Sequence, residues 1–283
     1  MPFEWPAAPT AAAHRPVVWA MGLTFADHVR ETGERAGAPV VFPKPCQPTV
    51  NPARVPMPNA KALAEVLECL DPAGSRRWLQ RMPDVPVLLD YEVEVGLRLL
   101  EDWPVAAQGR MPAVGFFLAN DVTARSVQIA GLGAADPLPF WSASKGWEGF
   151  LPVTDSLWCP DQASPDHWPD ITVSTRVNGQ LRQQAALRSM LYSPLQLLQL
   201  AAAQAPGGVL HRDDVVLTGT PAGIALQVPG WKRKLVACLP RHVAVTAAWR
   251  SQSASARFLQ PGDVIEMQAD WLGQLQLTVG SCS

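Results

Sequence analysis

Val87 to Val95 reads VLLDYEVEV. Side chains alternate faces along a β-strand with period two. Asp90, Glu92 and Glu94 therefore share one face of such a strand, and Tyr91, Val93 and Val95 the other. Like charges side by side repel, and burying them unpaired costs several kcal/mol per ion. This leaves the chain two ways to use the strand. Either the acidic face meets water on a half-exposed strand, or the fold supplies a cation. Hard divalent ions such as magnesium take oxygen ligands, commonly a few carboxylates with water in the remaining positions.

The 283 residues are enough for one large domain or two, with a core that needs no disulfide or metal staple. Hydrophobic residues at 48% and charged residues at 17% exclude global disorder. The 20 glycines and 28 prolines are dispersed, which predicts many turns and short elements. Residues 1–15 read as a loose arm and Pro16 to Gly22 as a buried strand. A helix is predicted over 24–36, with Thr24 as N-cap, Asp27 completing a weakened capping box, Gly33 loosening its second half and Gly37 ending it. Residues 38–58 read as extended. Asn59 to Leu70 is an amphipathic helix with Leu63, Val66, Leu67 and Leu70 on one face. Val85 to Leu100 and Ala113 to Ala119 read as strands, the second running into Asn120-Asp121. Ile171 to Val177 alternates up to Asn178-Gly179, a hairpin turn, with Gln180 to Gln184 returning. Pro194 to Ala205 is predicted helical. Strands are predicted over Asp214 to Thr218, Val243 to Trp249, Asp263 to Ala269 and Leu275 to Val279.

A formal charge of −2 argues against nucleic acid or an anionic membrane as partner. The five cysteines are odd in number and lie far apart, without a C-x-x-C. That disfavours a disulfide framework or zinc ribbon and points to a reducing compartment. No basic and apolar signal segment opens the sequence, and no apolar run approaches 18 residues. A soluble, cytoplasmic protein is expected. Trp231 to Lys234 is a basic cluster read as a solvated loop. Thr218 to Gly223 lacks the glycine spacing and lysine of a phosphate-binding loop, and no G-x-S-x-G elbow occurs.

Three features could add chemistry to the acidic strand. Asp121 follows the run AVGFFLA, where a strand leaves the core, and Arg125 and Gln128 lie at i+4 and i+7 from it. On a helical turn they offer a carboxylate for a cation, a guanidinium fork for a substrate carboxylate and an amide. The alternative is an N-cap Asp paired with Arg. His28 and Glu31 are three apart on a predicted helix and can hydrogen-bond. A carboxylate fixes the imidazole tautomer and raises its basicity, which suits a general base acting on water. The alternative is a surface salt bridge. Lys145, in WSASKGWEGF, is either a fixed positive charge beside a cavity or a solvated loop lysine. His14, His167, His211 and His242 read as surface residues.

Taken in order, eight segments resemble the fumarylacetoacetate hydrolase superfamily. They are MGLTFADHVRE (21–31), VFPKP (41–45), DYEVEVG (90–96), LANDVTARSVQ (118–128), SASKGWEGFLPV (142–153), VNGQLRQ (177–183), VVLTGTPAGI (215–224) and LQPGDVIEMQADWLGQLQLTV (259–279). The resemblance implies an α+β chain: a small N-terminal α/β part (1–80) with a lid helix and a helical insertion, then a mixed β-sandwich roll (81–283) with an insertion at about 225–258. It implies a homodimer. It implies a Mg2+ ion, or Mn2+ or Ca2+, held by Glu92, Glu94 and Asp121. Arg125, Gln128 and Thr220 match substrate-binding positions, and Lys145 a lysine beside the metal. In the acylpyruvase-like branch a His–Glu dyad activates water, and His28 and Glu31 match it. Thr24-Phe25 stands where Asn-Tyr is common, Ser126 and Glu148 replace frequent Asp residues, and stretches 55–85 and 225–258 are long.

The implied function is hydrolysis of a C–C bond in an acylpyruvate- or fumarylpyruvate-type 2,4-dioxo acid. The same metal site could instead decarboxylate, isomerise or hydrate a 2-oxo acid such as oxaloacetate. A third alternative is a family member that only binds its ligand.

Overall fold

The computed structural model describes residues 1–4, 14–32, 39–106, 109–227 and 238–282. The predicted helix end at Gly33 to Gly37 and the basic cluster Trp231 to Lys234 lie outside the described residues.

The first strands are β1 (Val18–Gly22), β2 (Val40–Lys44), β3 (Thr49–Val50) and β4 (Arg54–Met57). The middle of the chain adds β5 (Leu89–Asp90), β6 (Val93–Leu99), β7 (Trp103–Pro104), β8 (Val114–Asn120), β9 (Thr123–Ala124) and β10 (Pro152–Val153). The rest are β11 (Thr172–Val177), β12 (Gln180–Ala186), β13 (Val209–Leu210), β14 (Val215–Leu217), β15 (Val264–Ala269) and β16 (Gly273–Cys282). A seven-stranded mixed sheet runs β2-β1-β14-β6-β8-β10-β3, and a five-stranded one β12-β11-β15-β16-β4. Strands β11, β15 and β16 pack on β6 and β8, so the core lies between the sheets. Residues 18–57 thus contribute strands to both sheets.

Seven helices are described. They are α1 (Ala26–Thr32), α2 (Ala60–Leu70), α3 (Pro72–Arg81), α4 (Arg125–Ala130), α5 (Leu138–Ser144), α6 (Pro194–Gln204) and α7 (Arg241–Ser253). Local chemistry starts several of them. The Asn59 side chain accepts from the Ala62 N–H at 2.9 Å at the head of α2, and Ser193 with Gln196 forms a full capping box on α6. The β11–β12 hairpin turns on Asn178 and Gly179, both at positive φ (51° and 76°), as a two-residue type I′ turn requires.

Four expectations need correction. Val243 to Trp249 is not a strand but the middle of α7. Its β-branched residues suggested extension, yet Val245, Trp249 and Gln252 are buried at i, i+4 and i+7, a helical period. Trp249 packs on Trp78 and donates from Nε1 to Ser126 O at 2.9 Å. The stretch predicted as one strand over 85–100 breaks after Asp90 into β5 and β6. Thr24 does not cap α1; its hydroxyl donates to Thr218 O at 2.6 Å. The first four residues are pinned rather than loose: the Met1 ammonium donates to Leu157 O at 2.8 Å, and Phe3 is buried edge-on against Phe117.

Gly96 is dictated by packing. It pairs with Phe117 across β6 and β8, and a Cβ there would lie 2.0 Å from the Phe117 ring. Gly96→Ala is expected to destabilise by about 3 kcal/mol through overpacking. In a chain of this size that lowers the melting temperature by roughly 6–12 °C in a calorimetric scan. An unchanged melting temperature would show that the ring has room to shift.

Candidate active site

Glu92 and Asp121 meet because β6 and β8 are antiparallel neighbours. Val93 pairs with Asn120, and Asp121 N–H donates to Glu92 O at 2.8 Å just beyond the ladder. Glu94 lies two residues along β6, on the same face. All three carboxylates are buried, and one oxygen of each lies within 4.8 Å of the others. The acidic face is therefore turned inward, not to water.

The chain supplies its own cations. Lys145, at the end of α5, places Nζ 2.7 Å from Glu92 Oε2, 2.5 Å from Asp121 Oδ2 and 2.8 Å from Thr123 Oγ1. Lys44, at the end of β2, lies 2.8 Å from Asp121 Oδ1 and donates to Lys145 O at 2.8 Å. The contact to Asp121 Oδ1 is an ion pair without hydrogen-bond alignment. Arg125 donates from Nε to Asp90 at 2.8 Å and from Nη2 to Glu92. Asp90, expected beside Glu92 and Glu94, is instead held by Arg125 and by the N–H groups of Tyr91, Ala225 and Leu226.

Glu94 is the exception. Its Oε2 accepts from Gly219 N–H at 2.8 Å, but its buried Oε1 has no hydrogen-bond partner. Burial, reinforced by the nearby Asp121 charge, pushes its proton affinity well above the usual carboxylate range. Burial also works to raise Glu92 and Asp121. Lys145 outweighs it at both, with Arg125 at Glu92 and Lys44 at Asp121, and holds both carboxyls below their ordinary values. The cluster is thus a set of hard oxygen donors with one orphaned oxygen and one uncompensated acid. Octahedral magnesium holds adjacent oxygens about 3 Å apart and opposite ones about 4.2 Å apart. The three carboxylates suit a divalent ion of this type after a small inward adjustment.

The His28–Glu31 pair lies on α1, with His28 Nδ1 3.3 Å from Glu31 Oε2 and both side chains largely buried. Glu31 is held in turn by Gly223 N–H, 3.1 Å from both carboxylate oxygens, and by Gln227 Nε2 at 3.1 Å. The loop Thr218 to Gly223 therefore joins two sites, with Gly219 on Glu94 and Gly223 on Glu31. Gly223 has φ of 107°, and a Cβ there would fall 1.9 Å from Arg182 O, so only glycine fits.

The predicted substrate contacts all carry protein partners. Arg125 Nη1 donates to Gln128 Oε1 at 2.6 Å, which together with Asp90 and Glu92 occupies the guanidinium. Thr220 Oγ1 donates to Val93 O at 3.1 Å and accepts from Gln183 Nε2 at 2.8 Å. Sequence reasoning missed Lys44 and Gln183. Lys44 stands alone behind the apolar run VVF, a signal that could have marked it as buried. His14 is exposed and His211 half-buried, as surface residues, but they are not isolated: His14 Nε2 lies 2.7 Å from the buried Asp214, and the two rings meet at a tilt with centroids 4.3 Å apart.

Residues 17–280 match the family profile described as fumarylacetoacetate (FAA) hydrolase C-terminal. The chain belongs to this family of enzymes. It is 28% identical over 219 residues to oxaloacetate tautomerase FAHD2, mitochondrial, of Oryza sativa subsp. japonica, covering 76% of this chain and 83% of that one. It is 25% identical over 218 residues to oxaloacetate decarboxylase, mitochondrial, of Dictyostelium discoideum, covering 75% and 84%. The fold is shared with fumarylpyruvate hydrolase from Pseudomonas aeruginosa, solved in complex with Mn2+ and pyruvate, at a TM-score of 0.62 and 17% identity over 97% of both chains. The α+β architecture expected from the resemblance is thereby borne out. Among the described residues no helix is long and apolar enough to cross a membrane.

Proposed function

We propose that the chain is a divalent-metal-dependent hydrolase that cleaves a C–C bond of an acylpyruvate- or fumarylpyruvate-type 2,4-dioxo acid. The observation that carries this reading is the buried His28–Glu31 pair, tied by one loop to the carboxylate triad. Glu92, Glu94 and Asp121 would hold Mg2+ or Mn2+, which supplies Lewis-acid polarisation of the substrate's 2-oxo group. Glu31 fixes the proton on His28 Nδ1, leaving Nε2 to take a proton from water. The hydroxide oxygen adds to the distal carbonyl carbon. The C3–C4 bond then breaks, giving a carboxylic acid and a pyruvate enolate, which takes a proton at carbon. Lys145 keeps positive charge where the enolate oxygen develops its charge. Its ammonium is secured for this: burial opposes the charge, but Asp121, Glu92 and Glu94 outweigh burial and raise its proton affinity. Arg125, Gln128 and Thr220 are proposed contacts for the substrate carboxylate, each with a protein partner that substrate would replace.

A second reading is keto–enol conversion or decarboxylation of oxaloacetate. The sequence relatives support it by their names. In keto–enol conversion His28 would move a proton at the carbon beside the 2-oxo group, decarboxylation would need only charge held at the 2-oxo oxygen, and in neither would water attack. An assay of acetylpyruvate, fumarylpyruvate and oxaloacetate, with Mn2+ and with chelator, separates the two. Metal-dependent pyruvate release from an acylpyruvate is expected. Conversion of oxaloacetate alone would replace the hydrolase reading with the second one.

A further inference from the structure

Strand β12 inverts the usual pattern of burial. Its Leu181 is 48% exposed and its Gln183 only 1%, so the polar side chain goes inside and the apolar one stays out. The register explains how. Thr175 pairs with Gln183 but Arg176 with Leu181, which leaves Arg182 as the extra residue of a β-bulge. A bulge re-aims the side chain beside it, and bulges concentrate next to active sites. Burying an amide is costly unless its hydrogen-bonding positions are filled.

All four positions of Gln183 are filled. Oε1 accepts from Val93 N–H at 3.1 Å and from the Thr175 hydroxyl at 3.2 Å. Nε2 donates to Thr220 Oγ1 at 2.8 Å and to Pro221 O at 3.0 Å. Val93 N–H can only donate and Pro221 O can only accept, so the amide has one orientation. Thr220 Oγ1 therefore takes a hydrogen bond from Gln183 and keeps its own proton to give. That proton goes to Val93 O at 3.1 Å, long for a hydroxyl donor. The bulge also packs the Arg182 carbonyl against Gly223, so β12 grips the loop Thr218 to Gly223 at two points.

We propose that Gln183 is a positioning residue for substrate binding, which reserves the Thr220 proton for an anionic oxygen of the substrate. The proposal rests on the functional reading above, in which Thr220 contacts the substrate carboxylate. Gln183 is fully engaged and acts only through Thr220. A carboxylate oxygen is a stronger acceptor than Val93 O and draws the proton away from it. The bond from Gln183 holds the hydroxyl oxygen in place while its proton turns.

Titration calorimetry of the Mn2+-loaded protein with pyruvate tests this. Gln183→Glu keeps the bonds accepted by Oε1 and puts an oxygen where Nε2 stands. Ionised, that oxygen accepts the Thr220 proton; protonated, it spends its one proton on Pro221 O and accepts from Thr220 all the same. Pyruvate is expected to bind about 10-fold more weakly, as for the loss of a hydrogen bond to a charged group, with Mn2+ affinity unchanged. In a Thr220→Val background Gln183→Glu is expected to weaken pyruvate by roughly twofold or less, because the hydroxyl it acts through is gone. If Gln183→Glu fails to fold in a thermal scan, the uncharged Gln183→Met gives the same comparison. Wild type that does not bind pyruvate, pyruvate affinity that ignores either single change, or losses that add in the double variant would overturn the role. So would Mn2+ and pyruvate weakened together, which marks a structural one. Acylpyruvate hydrolysis without this coupling removes the role of Gln183 and keeps the hydrolase reading. The coupling without hydrolysis does the reverse.

Discussion

Replacing Glu94 with Gln is expected to abolish stabilisation by Mn2+ while leaving the metal-free protein as stable as wild type, or more so. Glu94 is the one carboxyl of the triad whose buried Oε1 lacks a partner and whose proton affinity is pushed up by burial and then by Asp121. Its folded-state value lies above the ordinary 4.3 or so of the unfolded chain. The folded protein therefore binds this proton more tightly, and the contribution is present at low pH and lost as pH rises towards the folded value. A glutamine resembles the protonated acid, keeps an oxygen for Gly219 N–H and is indifferent to pH. A divalent ion reverses the balance, because it displaces the proton and gains affinity as pH rises. At 100 times its dissociation constant an ion adds about 2.7 kcal/mol to wild type. That is roughly 5–10 °C for a chain of this length. Thermal unfolding from pH 4.5 to 8, with Mn2+ and with chelator, reads all of this. A metal shift that persists in Glu94→Gln would place the ion elsewhere. A metal-free variant weakened by more than about 2 kcal/mol would mean that Glu94 is well compensated as an anion.

The pieces of the triad were legible from local rules, while their convergence on one ion was implied only by the family resemblance. Period-two alternation put Glu92 and Glu94 on one face, and the end of an apolar run put Asp121 where a strand leaves the core. What decided the rest was distant in sequence. Lys44 belongs to the site because its ammonium reaches Asp121 and Lys145 O, and nothing periodic around residue 44 announces that. Asp90 obeys the same alternation as Glu92, yet the break between β5 and β6 gives it to Arg125 and to the amides of Ala225 and Leu226. Residues 243–249 are rich in β-branched side chains and fold as helix because Trp78 and Ser126 O, far away in the chain, receive Trp249. Propensity is a weak prior, and tertiary partners overrule it. The neutralising cations were hidden for a related reason. An acidic strand needs compensation, but its pattern does not say whether lysines, arginines or a metal provide it.

His28→Ala is expected to lower kcat for acylpyruvate hydrolysis by about 1,000-fold, within the range for loss of a general base. That equals about 4 kcal/mol of transition-state stabilisation. Binding of Mn2+ should persist, since Glu92, Glu94 and Asp121 keep every contact given by Lys145, Arg125 and Gly219. The loop should persist too, because Glu31 remains anchored by Gly223 and Gln227 after the imidazole is gone. Glu31→Gln is the companion change. It keeps the size of the side chain but removes the negative charge that supports a protonated imidazole, so a loss of about 100-fold is expected. Calorimetric Mn2+ titration beside steady-state kinetics separates the two effects. Undiminished hydrolysis in His28→Ala would dismiss the dyad as the base. The same variant also divides the readings of the reaction. Decarboxylation of oxaloacetate needs no base to activate water, only charge held at the 2-oxo oxygen, so it should survive in His28→Ala if the metal site is intact. Hydrolysis should not. A variant that loses both activities and still binds Mn2+ would show that His28 moves a proton on the substrate itself.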